Sequence, residues 1–489
     1  MLSTEDYAYA TVRELAAALE AREVSAVELA EVVIQRIHRY DGKLNAVPVR
    51  DFDRALDAAR KADRARARGA GGPLLGIPMT VKESFNVAGL PTTWGIPPFK
   101  DFVPAEDALA VARLKAAGAV ILGKTNVPIA LGDLQTYNPL YGTTNNPWDT
   151  SRTPGGSSGG SAAALAAGFG PVSLGSDIAG SLRLPAHFSG VYAHKPSLGL
   201  LPSRGHTPPA TPPLSYDRDL AVIGPMARTA ADLALLLDLL AEPEAAGLGV
   251  AYRHEPPPAR HDRLADYRVL VLDSHPAIPT STEVAAAIDG LAEKLAAAGA
   301  RVERHSPLLP DQTEAARLYM RLLLAAVAAA YPPDAYEQVR KAAEQIDSGD
   351  VSLAAERARG AALSHRDWLE TDALRTRHRA AWAALFTQFD VVLCPAAPTT
   401  AFGHDHSADQ WARRITVDGV EYDYPDQLVW AGVASAPGNP ATVAPVARSR
   451  DGLPIGVQLI GPIFEDHTPI RFAELLEREF GGFAAPNLD

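Results

Sequence analysis

The sequence has 489 residues, of which 47% are hydrophobic and 21% charged, and its net charge is −12. These proportions exclude disordered and fibrous proteins, and the acidic excess argues against sequence-independent binding to nucleic acid or to an anionic membrane. The length allows two or three domains or one large α/β unit.

Residues 1–70 predict an N-terminal helical segment. Thr11 with Glu14, and Ser25 with Glu28, have the spacing of capping boxes. The chain begins with acidic residues where a signal peptide has basic ones, and no apolar run reaches about 18 residues. We therefore predict a cytoplasmic protein that neither spans nor binds a membrane.

Residues 71–240 alternate short apolar runs with helical ones. The apolar runs predict strands over 75–81 and 119–122, and the segment 107–117 between them predicts a helix. Such alternation is typical of an α/β domain whose helices pack on a largely buried sheet. We expect this segment to be the core of the protein.

The second of these strands lies inside a formal match to the phosphate-binding P-loop, GAVILGKT at residues 118–125. That motif requires a flexible loop between its glycines, but here AVIL is itself the apolar strand. The NVP that follows would also break the helix that a P-loop needs. A structural role for Lys124 is therefore favoured over nucleotide binding.

Residues 155–181 read GGSSGGSAAALAAGFGPVSLGSDIAGS and are dense in glycine and serine. Glycine in an ordered segment needs a geometric reason, such as a close backbone approach, so this run is a candidate site. GGSSG also fits a nucleophile elbow around Ser157, but SRTPGG precedes it instead of a bulky strand. The nearby histidines, His187, His194 and His206, lie in no setting that marks a base.

Lys82 offers a different base, because it follows the strand-like GIPMTV where a polar loop begins. Partial burial lowers the pKa of a lysine, since desolvation penalises the ammonium form. A neutral lysine can then activate a serine hydroxyl. On local sequence alone, a surface or structural lysine remains the alternative.

The second half of the chain first turns helical and then returns to strands. Residues 241–389 have Ala-, Arg- and Glu-rich helical patterns and predict a cover or lid over the sheet. Residues 390–489 contain DVVLCP, ATVAPVA and PIGVQLIGP, which predict a return to the same sheet and hence one intertwined domain. The single cysteine, Cys394, excludes a disulfide framework, and no His/Cys cluster has ligand spacing, so we predict neither a metal nor a cofactor.

Four motifs together closely resemble the amidase signature family of serine amide hydrolases: GIPMTVKES, GKTNVP, TPGGSSGGSAA and GSDIAGSLRLPAHFSGVYAHKPS. The resemblance is strong from 75 to 240 and continues weakly in GNPATVAP and GLPIGVQLIGP. It implies an α/β/α sandwich, in which helices cover both faces of a large mixed β-sheet.

The resemblance also implies a catalytic triad. Lys82 matches the base, Ser157 the bridging serine after a cis peptide bond, and Ser181 the nucleophile. The residues between the two serines would form a helix-and-strand spacer. The backbone N–H groups of four residues would form the oxyanion hole: Ile178, Ala179, Gly180 and Ser181. Family members usually carry glycine at position 179.

Asp177 and Arg183 flank this nucleophile, and a structural ion pair is favoured over direct chemistry. The resemblance further assigns two sets of residues to the acyl pocket: Leu131, Gly132, Asp133 and Gln135 on one side, and Trp430, Ala431 and Asn439 on the other. Most of them are apolar, which favours an aliphatic or aryl acyl amide. Core packing is the alternative for Trp430.

We therefore expect hydrolysis of a small-molecule carboxylic acid amide through a Ser181 acyl-enzyme, without nucleic acid as a partner. The alternative on the same scaffold is an amidotransferase A-type subunit, which releases ammonia from glutamine for tRNA-dependent amidation. The residues after the nucleophile, HKPSLGLLPSRGHTPP, look more like those of stand-alone amidases. A homodimer would be unsurprising for the family.

Overall fold

The computed structural model describes residues 4–213, 218–245 and 248–489. Residues 1–3, 214–217 and 246–247 lie outside the described residues. They belong to the predicted segments 1–70, 71–240 and 241–389, respectively.

The described residues include fifteen strands: β1 (Val49–Arg50), β2 (Pro78–Lys82), β3 (Val120–Thr125), β4 (Tyr137–Asn138), β5 (Gly142–Thr143), β6 (Val172–Asp177), β7 (Tyr192–Lys195), β8 (Val222–Ala227), β9 (Arg268–Val271), β10 (Arg301–Glu303), β11 (Val391–Pro395), β12 (Arg414–Val417), β13 (Val420–Asp423), β14 (Ala441–Arg448) and β15 (Pro454–Ile460).

They also include fifteen α-helices: α1 (Thr4–Tyr9), α2 (Val12–Glu20), α3 (Ala26–Leu44), α4 (Phe52–Ala67), α5 (Leu109–Ala116), α6 (Gly159–Ala166), α7 (Arg183–Ser189), α8 (Ala230–Leu240), α9 (Thr282–Ala297), α10 (Gln312–Ala328), α11 (Pro333–Glu344), α12 (Leu353–Ala361), α13 (His365–Leu385), α14 (Leu428–Ser435) and α15 (His467–Phe480).

Eleven strands build one mixed sheet in the order β1-β3-β2-β6-β8-β7-β14-β15-β11-β9-β10. β2 lies parallel to both β3 and β6, and β9 lies parallel to β10 and β11. The other neighbours in the sheet are antiparallel. As predicted, the C-terminal strands β11, β14 and β15 return to the sheet that contains β2 and β3.

The sheet separates the two largest hydrophobic cores, because side chains alternate between the two faces of a strand. In β11, Val391 and Leu393 join one core, whereas Val392 and Cys394 join the other. Helices α2–α5, α8, α9 and α15 contribute to the first core, and α10, α13 and α14 to the second. Helices therefore cover both faces, and the predicted α/β/α sandwich is confirmed.

Local signals placed several elements correctly. Both capping boxes are present: the Thr11 hydroxyl accepts a hydrogen bond from the Glu14 amide, and Ser25 does the same with Glu28. The predicted strands and the helix of the core appear as β2, α5 and β3. Among the described residues, no helix is both long and apolar enough to cross a membrane.

The stretch 241–389, predicted as a helical cover or lid, also contains β9 and β10 at one edge of the sheet. These strands are only four and three residues long and adjoin the Ala-rich helix α9. Helical periodicity therefore dominates this part of the sequence. The division of the chain into four segments stays a prediction.

The P-loop match is part of a strand. Residues 120–125 form β3 without a break, so no flexible loop separates the glycines. The buried Lys124 ammonium donates hydrogen bonds to the carbonyl of Pro91 and, at 2.7 Å, to the hydroxyl of Thr92. Lys124 is therefore a structural residue here, as the sequence favoured.

Candidate active site

Lys82 is the last residue of β2, so its side chain lies at the carboxyl end of that strand. β3 and β6 are parallel to β2 and end at the same edge of the sheet. Ligands in open α/β sheets bind outside such carboxyl ends. The topology thus brings Lys82 beside the end of β6, where the glycine- and serine-rich run reaches Ser181.

Three serine hydroxyls surround the Lys82 ammonium. Its Nζ donates to the Oγ of Ser157 at 2.7 Å and to those of Ser158 and Ser176 at 2.9 Å each. The peptide bond between Gly156 and Ser157 is cis, as the resemblance implied. The structure therefore brings together the predicted base and the predicted bridging serine, although they are 75 residues apart in sequence.

The hydroxyl of Ser158 has its hydrogen committed elsewhere. Its Oγ donates to the backbone carbonyl of Ser176 at 3.2 Å. A hydroxyl has a single hydrogen, so Ser158 acts only as an acceptor toward Lys82. This leaves the hydroxyls of Ser157 and Ser176 able to give a proton to a neutral Lys82, and Ser157 is the nearer of the two, at 2.7 Å against 2.9 Å.

Burial controls the charge of Lys82. The side chain is fully buried, and desolvation lowers its pKa to about 7, although the nearby Asp177 carboxylate acts in the opposite direction. The predicted pKa depression is therefore present. An amine with this pKa is neutral in a large fraction of molecules near neutral pH, and a neutral amine can accept a proton.

Ser181 lies in the loop between β6 and α7, which we call the nucleophile loop (residues 178–182) because the sequence predicts the nucleophile there. The carbonyl of Ser181 accepts a hydrogen bond from the Ser158 amide at 3.1 Å. This bond holds the loop against the three serines around Lys82, which we call the serine cluster (Ser157, Ser158 and Ser176). Within the described residues, the Ser181 hydroxyl is hydrogen-bonded to neither Ser157 nor Lys82. As predicted, the spacer between the two serines is a helix and a strand, α6 and β6.

The buried ion pair between Asp177 and Arg183 stabilises the nucleophile loop. Asp177 accepts hydrogen bonds from the amides of Gly180 (2.8 Å) and Leu182 (3.1 Å), on either side of Ser181. Burial would raise the pKa of Asp177, but Arg183 and these amides hold it at about 2. The predicted structural role of the Asp177–Arg183 pair is thus observed.

Arg183 also connects the nucleophile loop to residues in the C-terminal part of the chain. Besides Asp177, its guanidinium donates to the Ala431 carbonyl at 2.9 Å, to Gln458 Oε1 at 2.6 Å and to Ser435 Oγ at 2.8 Å. With the two bonds to Asp177, all five of its N–H groups have acceptors. The nucleophile loop is therefore fixed to both α14 and β15.

The predicted oxyanion-hole residues do not all have free amides. The Gly180 N–H is committed to Asp177, so Gly180 contributes backbone shape instead of a donor. Its φ is +93°, and a Cβ atom there would lie 3.2 Å from the Cβ of Ala431. The amides that stay candidates are those of Ile178, Ala179 and Ser181.

The predicted acyl-pocket residues divide into three groups. Leu131 is partly exposed and Gly132 is exposed. The side chains of Asp133 and Gln135 are buried and bond to residues 405–424. Their polar groups are thus engaged by another part of the protein.

The third group lies on and after α14. Trp430 is completely buried and packs edge-on against His275, with ring centroids 5.6 Å apart. The next residue, Ala431, has its Cβ 3.2 Å from the position that a Cβ atom at Gly180 of the nucleophile loop would take. Asn439 is buried, and its backbone amide donates to the Ala434 carbonyl. Ala431 is thus the member of this group that lies against the nucleophile loop.

Two further hydroxyls and one tyrosine at the site were missed. Ser158 and Ser176 both contact Lys82, and their sequence signal is adjacency to Ser157 and Asp177. Tyr319 on α10 donates to the Ile178 carbonyl at 3.2 Å, so the helical cover reaches the nucleophile loop. No local pattern marks Tyr319, because this contact joins residues 141 positions apart. Across the described ranges, no group of three or more His, Cys, Asp or Glu side chains could hold a metal ion.

Known proteins match this chain along almost its whole length. An indoleacetamide hydrolase from Bradyrhizobium diazoefficiens is 33% identical, over 96% of this chain and 86% of the relative. The A-type subunit of a glutamyl-tRNA(Gln) amidotransferase from an Azoarcus species is 35% identical, over 93% of this chain and 94% of the relative.

A similar fold is present in a solved structure described as a vestigial protein complex that reveals the evolutionary origins of an s-triazine catabolic enzyme. It superimposes with a TM-score of 0.80 at 29% identity, over 96% of this chain and 98% of that chain. The sequence profile of the family described as Amidase matches residues 28–469. The chain therefore belongs to the amidase family, the amidase-signature enzymes to which its motifs pointed.

Proposed function

We propose that this protein hydrolyses the amide bond of a neutral carboxylic acid amide, with Ser181 as nucleophile, Ser157 as bridging group and Lys82 as base. The observation that supports it most directly is the buried Lys82 amine, whose pKa is about 7, at 2.7 Å from the Ser157 hydroxyl. Membership of the amidase family supports the reaction class.

In the first step, neutral Lys82 accepts the proton of Ser157, and Ser157 accepts the proton of Ser181. The Ser181 oxygen attacks the amide carbonyl and forms a C–O bond. Catalytic hydrogen bonds are often long before substrate binds and shorten in the Michaelis complex. We therefore expect the contact between the Ser157 and Ser181 hydroxyls to form on binding.

In the second step, the C–N bond breaks, and the proton held by Lys82 returns through Ser157 to the departing nitrogen. An ester between the acyl group and Ser181 remains. Water then gives a proton to the same relay and attacks the ester, and Ser181 recovers its proton. The products are a carboxylic acid and an amine or ammonia, and the relay returns to its starting state.

The tetrahedral intermediate carries a negative oxygen, which backbone amides of the nucleophile loop can stabilise. Each well-placed donor is worth about 3 kcal/mol of barrier. Because Gly180 donates to Asp177, we assign this role to the amides of Ile178, Ala179 and Ser181. The carboxylate of Asp177 then fixes the loop through its hydrogen bonds from the Gly180 and Leu182 amides.

Charge distribution in the predicted acyl pocket favours a neutral acyl group. Asp133 is the one charged side chain in the predicted set, and Arg413 already neutralises it at 2.6 Å. Glutamine would bring an α-ammonium and an α-carboxylate, and each buried charge needs an opposite charge. The charges of the predicted pocket therefore favour an amide hydrolase that acts on neutral substrates over the amidotransferase alternative.

A substrate panel tests the proposal. The purified protein should release amine or ammonia from neutral aryl and aliphatic amides but not from glutamine, and the Ser181→Ala variant should release neither. A fluorophosphonate probe should label a single peptide that contains Ser181. Glutamine turnover as the main activity would support the amidotransferase alternative, and an active Ser181→Ala variant would remove Ser181 from the nucleophile role.

A further inference from the structure

Residues 405–424 contain the β12–β13 hairpin, and we call them the hairpin segment. They bind the loop of residues 133–137, which packs against Gly155 and Gly156, just before Ser157. Gln135 pairs with the backbone of Asp405 through two hydrogen bonds: its Nε2 donates to the carbonyl at 2.7 Å, and its Oε1 accepts from the amide at 3.0 Å. The side-chain amide of Gln135 thus joins the 133–137 loop to the backbone of the hairpin segment.

Arg413 makes the strongest connection between these two parts. Its Nη1 donates to Asp133 Oδ2 at 2.6 Å, and its Nη2 donates to the Tyr137 hydroxyl at 2.6 Å. Nη2 and Nε also donate to the Ser407 carbonyl, at 2.6 and 3.1 Å. Tyr424 donates to the second oxygen of Asp133 at 2.9 Å, so both carboxylate oxygens are bound by the hairpin segment.

The ion pair is almost completely buried. The exposed fractions of the Arg413 and Asp133 side chains are 2% and 5%. Breaking such a pair by removing one partner is strongly destabilising locally, because the other charge is left without compensation in a low-dielectric site. The pair therefore holds one defined arrangement of the 133–137 loop.

The opposite side of this loop touches the residues that precede Ser157. A Cβ atom at Gly156 would lie 2.5 Å from the Asp133 carbonyl oxygen and 2.7 Å from that of Gln135. The Thr136 hydroxyl donates to the Gly155 carbonyl at 2.7 Å. The loop backbone is therefore the wall against which Gly155 and Gly156 pack, and Ser157 follows directly.

We propose that the buried Asp133–Arg413 pair is a positioning element for Ser157, so that the hairpin segment controls the rate of the chemical step. The inference rests on the proposed function, because it assigns Ser157 to the proton relay. Arg413 acts through the 133–137 loop and touches none of the three relay residues. A displacement of about 1 Å in a reacting group can lower a rate about 100-fold, which sets the scale of the expected effect.

The chain offers a matched control in the next residue. Arg414 pairs with Asp423 on the surface of the hairpin, and both side chains are about half exposed. Exposed ion pairs contribute little to stability. Arg413→Met should lower kcat about 100-fold, whereas Arg414→Met should leave kcat unchanged. Active-site titration with the fluorophosphonate probe corrects both values for the folded fraction.

The rate of labelling by this probe separates positioning from mere stabilisation. Labelling requires an activated Ser181 but no fitted acyl group, so it should slow by about the same factor as kcat in Arg413→Met. The double variant Asp133→Asn/Arg413→Met leaves no unpaired carboxylate and should recover part of the lost kcat. A folded Arg413→Met enzyme whose kcat and labelling rate lie within about threefold of the wild-type values would overturn the proposal.

A second variant covers the case in which Arg413→Met does not fold. Arg413→Lys then tests the proposal. Lysine keeps the positive charge but cannot reach Asp133, Tyr137 and Ser407 together. A kcat about tenfold lower supports the proposal, and a kcat equal to that of the wild type overturns it. Labelling that persists in Ser181→Ala would instead refute the proposed function itself.

Discussion

Lys82 and Lys124 lie on adjacent parallel strands, β2 and β3, in neighbouring positions of the register. Both side chains are fully buried, and desolvation lowers the pKa of each, to about 7 for Lys82 and about 8 for Lys124. Both also lie within motifs that suggest chemistry. Their burial and pKa values alone do not distinguish the two lysines.

The atoms around each amine do distinguish them. Lys82 contacts hydroxyls, and the Ser157 hydroxyl has a hydrogen to give. Lys124 contacts the carbonyl of Pro91, which has no hydrogen, and the hydroxyl of Thr92, which already donates to the Phe85 carbonyl at 3.3 Å. A neutral Lys124 would therefore find no proton to accept. A depressed pKa makes a base only where a neighbouring group can donate.

The largest expected effect is that of Lys82→Met, which removes the base and keeps the volume of the side chain. We expect kcat to fall about 10,000-fold, as for other essential general bases. Steady-state kinetics on a neutral aryl amide measures it, with circular dichroism as the control for folding. A folded variant that keeps a tenth of the wild-type kcat would contradict the role of Lys82.

Ser157→Ala and Ser158→Ala compare two hydroxyls that both contact Lys82. Ser157→Ala should lower kcat about 1,000-fold, because the relay between Lys82 and Ser181 is interrupted. Ser158→Ala should lower kcat only about tenfold, because this hydroxyl serves as an acceptor and already donates to the Ser176 carbonyl. Equal losses in the two variants would contradict the proposed role of Ser157 as the bridging serine.

The pH dependence of kcat/KM should report the ionisation of Lys82. The active form is the neutral amine, which predominates above its pKa of about 7. The rate should therefore rise about tenfold per pH unit below pH 7 and level off above it. The Lys124→Met variant should show the same rise of kcat/KM with pH below pH 7. A rate that is constant between about pH 5.5 and 8.5 would contradict the assignment of the base.

Lys124→Met should have the smallest effect on turnover, with kcat within about threefold of the wild-type value. Its effect should instead appear in stability, because the Pro91 carbonyl and the buried Glu83 lose a partner. We expect the free energy of unfolding to fall by about 1–3 kcal/mol. Urea unfolding at pH 8 measures it, and a large loss of kcat in a stable variant would place Lys124 in the site.

Local patterns in the sequence predicted much of this architecture. The capping boxes at Thr11 and Ser25, the strand that delivers Lys82, and the strand nature of DVVLCP depend on residues close together in sequence. The same holds for the rejection of the P-loop, since the apolar run AVIL already marks β3. The family resemblance supplied the pairing of Lys82 with Ser157.

Local sequence patterns do not encode contacts between residues far apart in the chain. The Asp133–Arg413 pair joins residues 280 positions apart, and nothing near Asp133 in sequence indicates that its charge is used internally. The Gly180 amide was predicted as an oxyanion donor, but Asp177 three residues earlier accepts its hydrogen bond. Which backbone amide is left to stabilise an oxyanion depends on the conformation of the loop. The residue types alone do not encode the direction in which each amide points.

The two edge strands of the sheet have a consequence for how molecules meet one another. β1 has two residues and β10 has three, and both contain an arginine. A long unpaired edge exposes a row of backbone donors and acceptors on which a second molecule can add a strand, and short, charged edges prevent this. An eleven-stranded sheet thus ends in edges of two and three residues, which offer a second molecule few backbone groups for strand pairing.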